Sequence, residues 1–599
     1  MKVKVSDYIA DFLISRSIDT VFTVVGGGAM HLNDSFGHNK NLHCVYNHHE
    51  QASAMAAECY ARVAGKLAAL CVTSGPGAIN ALNGVVGAYQ DSIPMLVFSG
   101  QVKTALMVRN SGLALRTLGG QEFDIVSALE HGAKYAETVL KPERIRYCLE
   151  KAYSIAISGR PGPCWLDLPL DIQGAFVESD DLEGYSEIEK QKTVSVDEIQ
   201  KVMSHLKEAK RPVLYAGNGI RLAGAVNLLH EVSKKFQIPV VTCWDSIDLI
   251  ATEDMLYAGR GGTMGDRAGN FAVQNSDFLL AVGSRLSIYQ VGYQKESWAR
   301  VAYKVAVDID PEELLKPIFS LDLPICSDAK DFLQTLMDED AYGMTDRTDW
   351  IQQCAIWKKK YPVVTEDERN QKNITNVYAF IDGLSHSLPE GAVSVVANGS
   401  ASVVGSQTWY IKKDQRFLMN CAISSMGYGL PASIGACIAN DYQPVVCLEG
   451  DGSIMMNLQE LQTVVTNKLP IHIFIINNEG YHQIRQTQNN IFHDGLVGVG
   501  PESGDLGFPS FEKLAGAFGI PYYSIKNNLE ISTVVDEVLT AKGYTLCEVF
   551  CDTVQKFEPK SATRKLPDGT LESPPLEDLA PFLPREELKE NMLIGKGIR

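Results

Sequence analysis

The sequence predicts an α/β protein of three doubly wound parallel-sheet domains in a row, followed by a C-terminal arm. Three observations predict it. Apolar runs of strand length recur along the chain, and each closes on a turn rich in glycine, asparagine or serine. Runs with helical spacing separate them, which is the strand–helix–strand alternation of a parallel sheet. Two polar, charged stretches, 178–192 and 338–369, interrupt the alternation and divide 599 residues into units of domain size. The units are 1–177, 193–345 and 370–555, with 556–599 as the arm.

Composition excludes several classes. Lysine plus arginine number 54 against 72 aspartate plus glutamate, a formal net charge of −18 with no long basic run, so nucleic acid is not a partner. No apolar stretch reaches membrane-spanning length. The 13 cysteines are scattered without paired spacing and read as reduced core thiols of a cytoplasmic protein.

The chain opens on MKVKVSDYIADFLISR, an amphipathic helix with Ser6 as the expected N-cap rather than a signal peptide. In the first unit a strand from Thr20 to Val25 runs into Gly26-Gly27-Gly28. A strand from Leu42 to Asn47 ends at His48-His49-Glu50, and Gln51 to Ala64 is a helix stopped by Gly65. The strand Ala68 to Ser74 leads into Gly75-Pro76-Gly77 and a helix from Ala78 to Tyr89, and Met95 to Ser99 is a further strand. Glu50, in HHEQASAMAAECYAR, stands where a strand meets a helix. Alone it reads equally well as a helix-start carboxylate satisfying the dipole or as a catalytic acid–base.

In the second unit, strands at Pro212–Ala216, Phe278–Val282 and Val305–Val307 end at Gly217-Asn218-Gly219, Gly283-Ser284-Arg285 and Asp308-Ile309-Asp310. The third unit has a strand Val393 to Ala397 ending at Asn398-Gly399-Ser400, then Phe417 to Met419, then a helix from Leu430. Its most informative part is PVVCLEGDGSIMMNLQELQTVVTNKLPIHIFIINNEG. The strand Pro444 to Leu448, the turn Gly450-Asp451-Gly452-Ser453, a helix from Asn457 to Asn467 and the strand Ile471 to Ile476 form one βαβ unit. Open α/β sheets bind ligands at the carboxyl ends of their strands. There Asp451 offers a charged oxygen and Asn478, 27 positions later, a neutral one. That pair suits Mg²⁺, which completes its octahedron with phosphate oxygens and water. Gly452 and Ser453 can aim backbone N–H groups at a phosphate. A lone GDG is more often an ordinary turn; the Asn477-Asn478 pair at the next strand end reverses that judgement.

Gly-Asp-Gly-Ser followed at this spacing by Asn-Asn resembles the metal motif of the thiamin-diphosphate-dependent enzymes. The resemblance implies that Asp451, Asn478 and the Gly480 carbonyl hold Mg²⁺, which anchors the cofactor's diphosphate beside Gly452 and Ser453. It implies a pyrimidine-binding first domain, a central domain and a diphosphate-binding third domain. Glu50 would bond the cofactor's pyrimidine nitrogen and so activate the thiazolium carbon. In SSMGYGLPASIGA, Met426 would wedge the two cofactor rings into a V and the Ser424 carbonyl would hold the 4′-amino group.

More broadly, residues 1–555 resemble the acetolactate synthase branch, through TSGPGAIN, DSIPMLVFSGQV, SGRPGP, LPLDIQ and LLAVGSR. On that likeness Gly26, Gly27 and Gln121 line the pocket around the reacting carbon. The departures point to a wider, more polar acceptor site: Gly120 replaces a Phe, Leu170 a Lys, Thr487 a Trp, and Ser400-Ala401 the Gln-His near the diphosphate. His482, Gln483 and Arg485 are then candidates to bond substrate hydroxyls or a phosphate, or else are solvent-facing loop residues. The central domain resembles one that holds FAD as a structural group; Arg285 matches, while Tyr289 stands where a second Arg is expected. The tail is similar to endings on surface-sugar carboligases.

The implied activity is that of a carboligase, a thiamin-diphosphate- and Mg²⁺-dependent transferase or lyase working as a homodimer or homotetramer. It would decarboxylate a 2-keto acid such as pyruvate and pass the two-carbon unit to a keto acid or keto-sugar. The alternatives are a simple 2-keto-acid decarboxylase or 2-hydroxyacyl lyase, and a non-catalytic cofactor-binding paralogue.

Overall fold

The computed structural model describes all residues except 187–192, 493, 566, 567, 569 and 595–599. The end of the first linker and those parts of the arm lie outside the described residues.

The chain builds three six-stranded sheets, every neighbouring pair parallel. The first contains β1 Thr20–Thr23, β2 His43–Tyr46, β3 Ala68–Val72, β4 Met95–Gln101, β5 Tyr135–Thr138 and β6 Pro163–Pro169, in the order β2-β1-β3-β4-β6-β5. The second contains β7 Pro212–Ala216, β8 Val240–Thr242, β9 Tyr257–Arg260, β10 Phe278–Val282, β11 Tyr303–Asp308 and β12 Leu323–Cys326, in the order β9-β8-β7-β10-β11-β12. The third contains β13 Val393–Val396, β14 Arg416–Met419, β15 Val445–Gly450, β16 Ile471–Asn477, β17 Tyr522–Ile525 and β18 Thr545–Phe550, in the order β14-β13-β15-β16-β18-β17. The first and third sheets therefore repeat one topology, and the second has the order of a dinucleotide-binding fold.

Helices on both faces keep the strands dry, which is why β3, β10 and β15 read as nearly unbroken apolar runs. The first and third domains share one apolar core. Its centre is the contact between helices Glu50–Ala64 and Gly429–Ala439, where Gly435 lies so close to the Ala56 carbonyl that a side chain would collide with it.

Local differences from expectation have physical reasons. Lys2–Lys4 pairs as a strand with Phe176–Glu178, so the first helix begins at Val5. Ser6 does not cap it; it is buried and accepts a hydrogen bond from Ser35 Oγ at 2.8 Å. The helix expected from Asn457 starts at Glu460, because Asp451–Ile454 already forms a helical turn of its own.

The arm docks on the second domain. Leu576, Leu588 and Met592 enter its core, the Gln274 amide donates to Glu577 at 2.5 Å, and Trp357 Nε1 donates to Asn591 at 2.8 Å.

Candidate active site

One half of the candidate site is built at the ends of β13, β15 and β16. Asp451 begins the helical turn that follows β15 and is buried. One carboxylate oxygen accepts from the Gly480 N–H at 2.8 Å and the other from the Gly452 N–H at 2.7 Å. Burial pushes this carboxyl up to about 7. Asn478 is buried beside it; its amide nitrogen donates to Ser400 Oγ at 2.9 Å, which directs the amide oxygen away from Ser400. The Gly480 carbonyl accepts from the His482 N–H at 2.9 Å. Gly480 has φ +123°, and a side chain there would run into the Val499 carbonyl. Asp451 is thus held against the 478–480 loop, 27 to 29 positions further along the chain.

The donor set fits Mg²⁺ held to a diphosphate. Among the described residues no group of three or more His, Cys, Asp or Glu side chains could hold a metal. One carboxylate, one amide oxygen and one carbonyl is instead the sparse set Mg²⁺ takes when phosphate supplies the rest. A cation here would return to Asp451 the stabilisation that burial removes. The space for an anion is also present. Helix Ser400–Thr408 begins after Gly399, at φ +71°, where an added side chain would meet nothing within 4 Å. Its first-turn N–H groups are a natural phosphate site.

Arg485, in helix His482–Ile491, is buried and turned inward. It donates to the carbonyls of Asn478 at 2.9 Å and Glu479 at 2.6 Å. His482 is buried too, with Nε2 2.5 Å from the Gln555 carbonyl, and burial lowers its pKa. Neither side chain faces open solvent. Gln483 and Thr487 are exposed on the same helix.

The segment 424–427 crosses between the two halves. Asn398 donates to the Ser424 carbonyl, Ser425 Oγ to Asn83 at 2.6 Å, and the Gly427 N–H to Ser453 Oγ at 2.9 Å. Ser424 and Gly427 both have positive φ, 50° and 75°. Ser453 Oγ thereby ties the 424–427 segment to the turn after β15. Glu449 is fully buried, which pushes its carboxyl up to about 7, and it accepts from the Leu430 N–H at 3.0 Å. Met426 is half-buried beside these groups.

In the first domain, Glu50 is the first residue of helix Glu50–Ala64 and is half-buried. Asn80 donates to its Oε2 at 3.0 Å, and Oε1 lies against Gly77. Gly26 packs on Thr73, whose hydroxyl accepts from the Gly28 N–H at 3.0 Å. Gln121, at φ +63°, lays its backbone against Gly75. Gly26, Gly27, Glu50 and Gln121 are thus gathered around the one turn Thr73–Gly77. Gly27 and Gly120 have nothing within 4 Å of where a side chain would start, so the space beside Gln121 is open.

A cavity of about 590 Å³ lies at the carboxyl ends of β7, β10 and β11, where the strand order reverses. Asn218, Gly219, Gly283, Arg285 and Asp308 line it, and it reaches Ser424 of the third domain. Burial pushes the Asp308 carboxyl up to about 6.

Sequence reasoning missed the groups that join the halves: Glu460, which bonds Asn47 and His48, and the buried Glu58–Arg62–Asp91 cluster, whose Asp91 accepts the N–H groups of Cys421 at 2.9 Å and Ala422 at 3.0 Å. Buried charge was the signal available, since "AAECYAR" places Glu58 and Arg62 inside an otherwise apolar helix.

Known proteins resemble most of the chain. The N-terminal TPP-binding domain of thiamine pyrophosphate enzymes matches residues 3–126, their central domain 199–336, and their C-terminal TPP-binding domain 397–549. The large subunit of acetolactate synthase isozyme 2 from Escherichia coli K12 is 31% identical over 580 residues, covering 96% of this chain and 100% of that protein. The mitochondrial acetolactate synthase catalytic subunit of Saccharomyces cerevisiae is 30% identical over 564 residues, 90% of this chain and 80% of that protein. The Lactococcus lactis large subunit is 30% identical over 565 residues, 92% and 93%.

Proposed function

The chain belongs to the thiamine pyrophosphate enzymes, on their acetolactate synthase side, and from that premise we propose a Mg²⁺-dependent carboligase. In this reading it decarboxylates a 2-keto acid, pyruvate in the simplest case, and passes the two-carbon unit to a second carbonyl, a keto acid or a keto-sugar. The observation that carries the reading is the meeting of the buried Asp451 carboxylate with the 478–480 loop beside an open helix N-terminus.

When bound, thiamin diphosphate supplies the nucleophilic carbon and the electron sink for decarboxylation. Asp451, the Asn478 amide oxygen and the Gly480 carbonyl would hold the metal, and the backbone N–H groups at Ser400 and Ser453 would face the diphosphate; the Gly452 N–H is instead taken by Asp451. Met426 and the Ser424 carbonyl orient the rings. Glu50 would bond the pyrimidine nitrogen and exchange a proton with it, and Asn80 holds the Glu50 carboxyl in place through Oε2. Gly26 and Gly27 let a substrate approach the backbone, and Gln121 faces it. Arg485 and His482 serve this reading by holding the 478–480 loop and the start of the arm; any substrate contact from this helix falls to the exposed Gln483 and Thr487.

Because the family resemblance draws the two halves of each site from different subunits, the active unit is a homodimer or a pair of dimers. Val25, Tyr46 and Ile79 near Glu50, and Met455 and Met456 beyond Asp451, expose apolar surface in support of such pairing. The central cavity, at the reversal point of a dinucleotide-type sheet, suits FAD as a structural group. A flavin absorbance band in purified protein tests that. All 13 cysteines are free, which supports a reducing, cytoplasmic setting. No helix among the described residues is long and apolar enough to cross a membrane.

Incubation with pyruvate and a panel of keto acids and nucleotide keto-sugars, with products identified by mass, tests the reaction. A condensed product supports carboligation; acetaldehyde alone overturns it in favour of a decarboxylase.

A further inference from the structure

The carboxylate of Glu460 is fully buried between two domains. It belongs to the third domain, on the helix that follows the metal turn, nine positions after Asp451. Its hydrogen bonds reach the first domain, at the carboxyl end of β2. Oε2 accepts from the Asn47 amide at 3.0 Å and Oε1 from the His48 backbone N–H at 3.0 Å. Thr463 Oγ1 donates to Oε2 at 2.7 Å within its own helix. Asn47 is itself locked, since its amide oxygen accepts from Ser53 Oγ at 3.2 Å. The two residues held by Glu460 immediately precede His49, which caps the helix that Glu50 begins; His49 Nδ1 accepts from the Gln51 N–H at 3.1 Å.

We infer that Glu460 is a positioning residue for Glu50. It pins the chain just before the catalytic carboxylate, while Asn80 holds the carboxylate itself. Two considerations favour this over a purely structural role. A carboxylate removed from water is costly unless it is fully hydrogen-bonded, and an apolar residue would serve plain packing at least as well. Its partners are also not spread over the interface but are two consecutive residues at the one strand end that presents Glu50. The βα unit that would grip one metal thereby also sets the position of Glu50, which in the dimer proposed above exchanges a proton with the cofactor held by the partner subunit. The inference rests on the function proposed for Glu50.

Glu460→Ala removes both cross-domain bonds and should lower turnover roughly 100-fold, the scale of an ångström-level misplacement. Glu460→Gln keeps one acceptor oxygen and should recover most of that loss. Thiamin diphosphate affinity, read by calorimetry with Mg²⁺, should stay within about twofold of wild type, because Glu460 touches no cofactor ligand. Amide hydrogen exchange in the cofactor-free protein should rise at residues 47–51 and not elsewhere in the first domain. The inference is overturned if Glu460→Ala turns over normally. It is equally overturned if both variants lose cofactor affinity and melting temperature in step with turnover. Glu50→Gln separates the two layers: should it remain active, the functional reading fails, whereas an inactive Glu50→Gln beside a fully active Glu460→Ala defeats this inference alone.

Discussion

The first and third domains share one strand order and differ in what they place at their strand ends. The third domain gathers Asp451, Asn478 and Ser400 from three strand ends, all buried, and backs them with Arg485 and Glu449. The first presents one half-buried carboxylate at a helix start, with glycines and open space around it. The difference suits the tasks proposed for the two domains. Holding a doubly charged ion and a diphosphate needs fixed charge out of water, whereas activating a ring and admitting a substrate needs one adjustable proton and room. The same topology supports both because parallel sheets expose only their strand-end loops to function.

The sharpest test of that division is Glu50→Gln. Turnover should fall by roughly 10² to 10⁴, the usual contribution of a general acid–base group, with cofactor affinity nearly unchanged. Equal losses of turnover and affinity would erase the distinction between the halves. The next effect concerns the third domain's supporting groups. Arg485→Ala frees the Asn478 and Glu479 carbonyls and should weaken Mg²⁺-dependent cofactor binding roughly 10- to 100-fold, as outer partners of metal ligands do. A Mg²⁺ titration of cofactor binding reads it; a pure rise in substrate KM would return Arg485 to the substrate-binding role that its sequence position suggested.

The smallest effect lies in the first domain's own buried acid. Asp167 accepts from Ser99 at 2.6 Å and is pushed up to about 7 by burial, from an ordinary value of 3.8. The folded state then holds a proton that the unfolded state releases, so this group's contribution is complete below about 4 and is lost as pH rises toward about 7. The urea midpoint of the cofactor-free protein should fall over that window, and fall less in Asp167→Asn. A midpoint that rises with pH over the same range in wild type, but not in the variant, contradicts the assignment.

Much of this was legible in the sequence where chemistry is local. The glycine turns after β7, β10 and β15 and the Asp451–Asn478 spacing are carried by neighbouring residues and strand periodicity. What was not legible depends on partners far along the chain. Glu460 reads as a helix-surface carboxylate until Asn47 and His48, 413 and 412 positions away, are placed against it. His482 and Arg485 read as substrate contacts or solvent-facing loop residues, because Gln555, whose carbonyl His482 Nε2 meets, comes 73 residues after His482. Short strands such as β8 and β9 carry too few residues for a periodic signal. The arm's composition hid its docking, since Leu576, Leu588 and Met592 are thinly spaced among prolines and charges.

The most direct test of the whole account is calorimetric titration of the folded, cofactor-free protein with thiamin diphosphate, with and without Mg²⁺, alongside Asp451→Ala. Saturable binding that needs Mg²⁺ and drops at least about 100-fold in the variant is the predicted result. Binding that ignores both Mg²⁺ and Asp451, or no binding at all to well-folded protein, would contradict it.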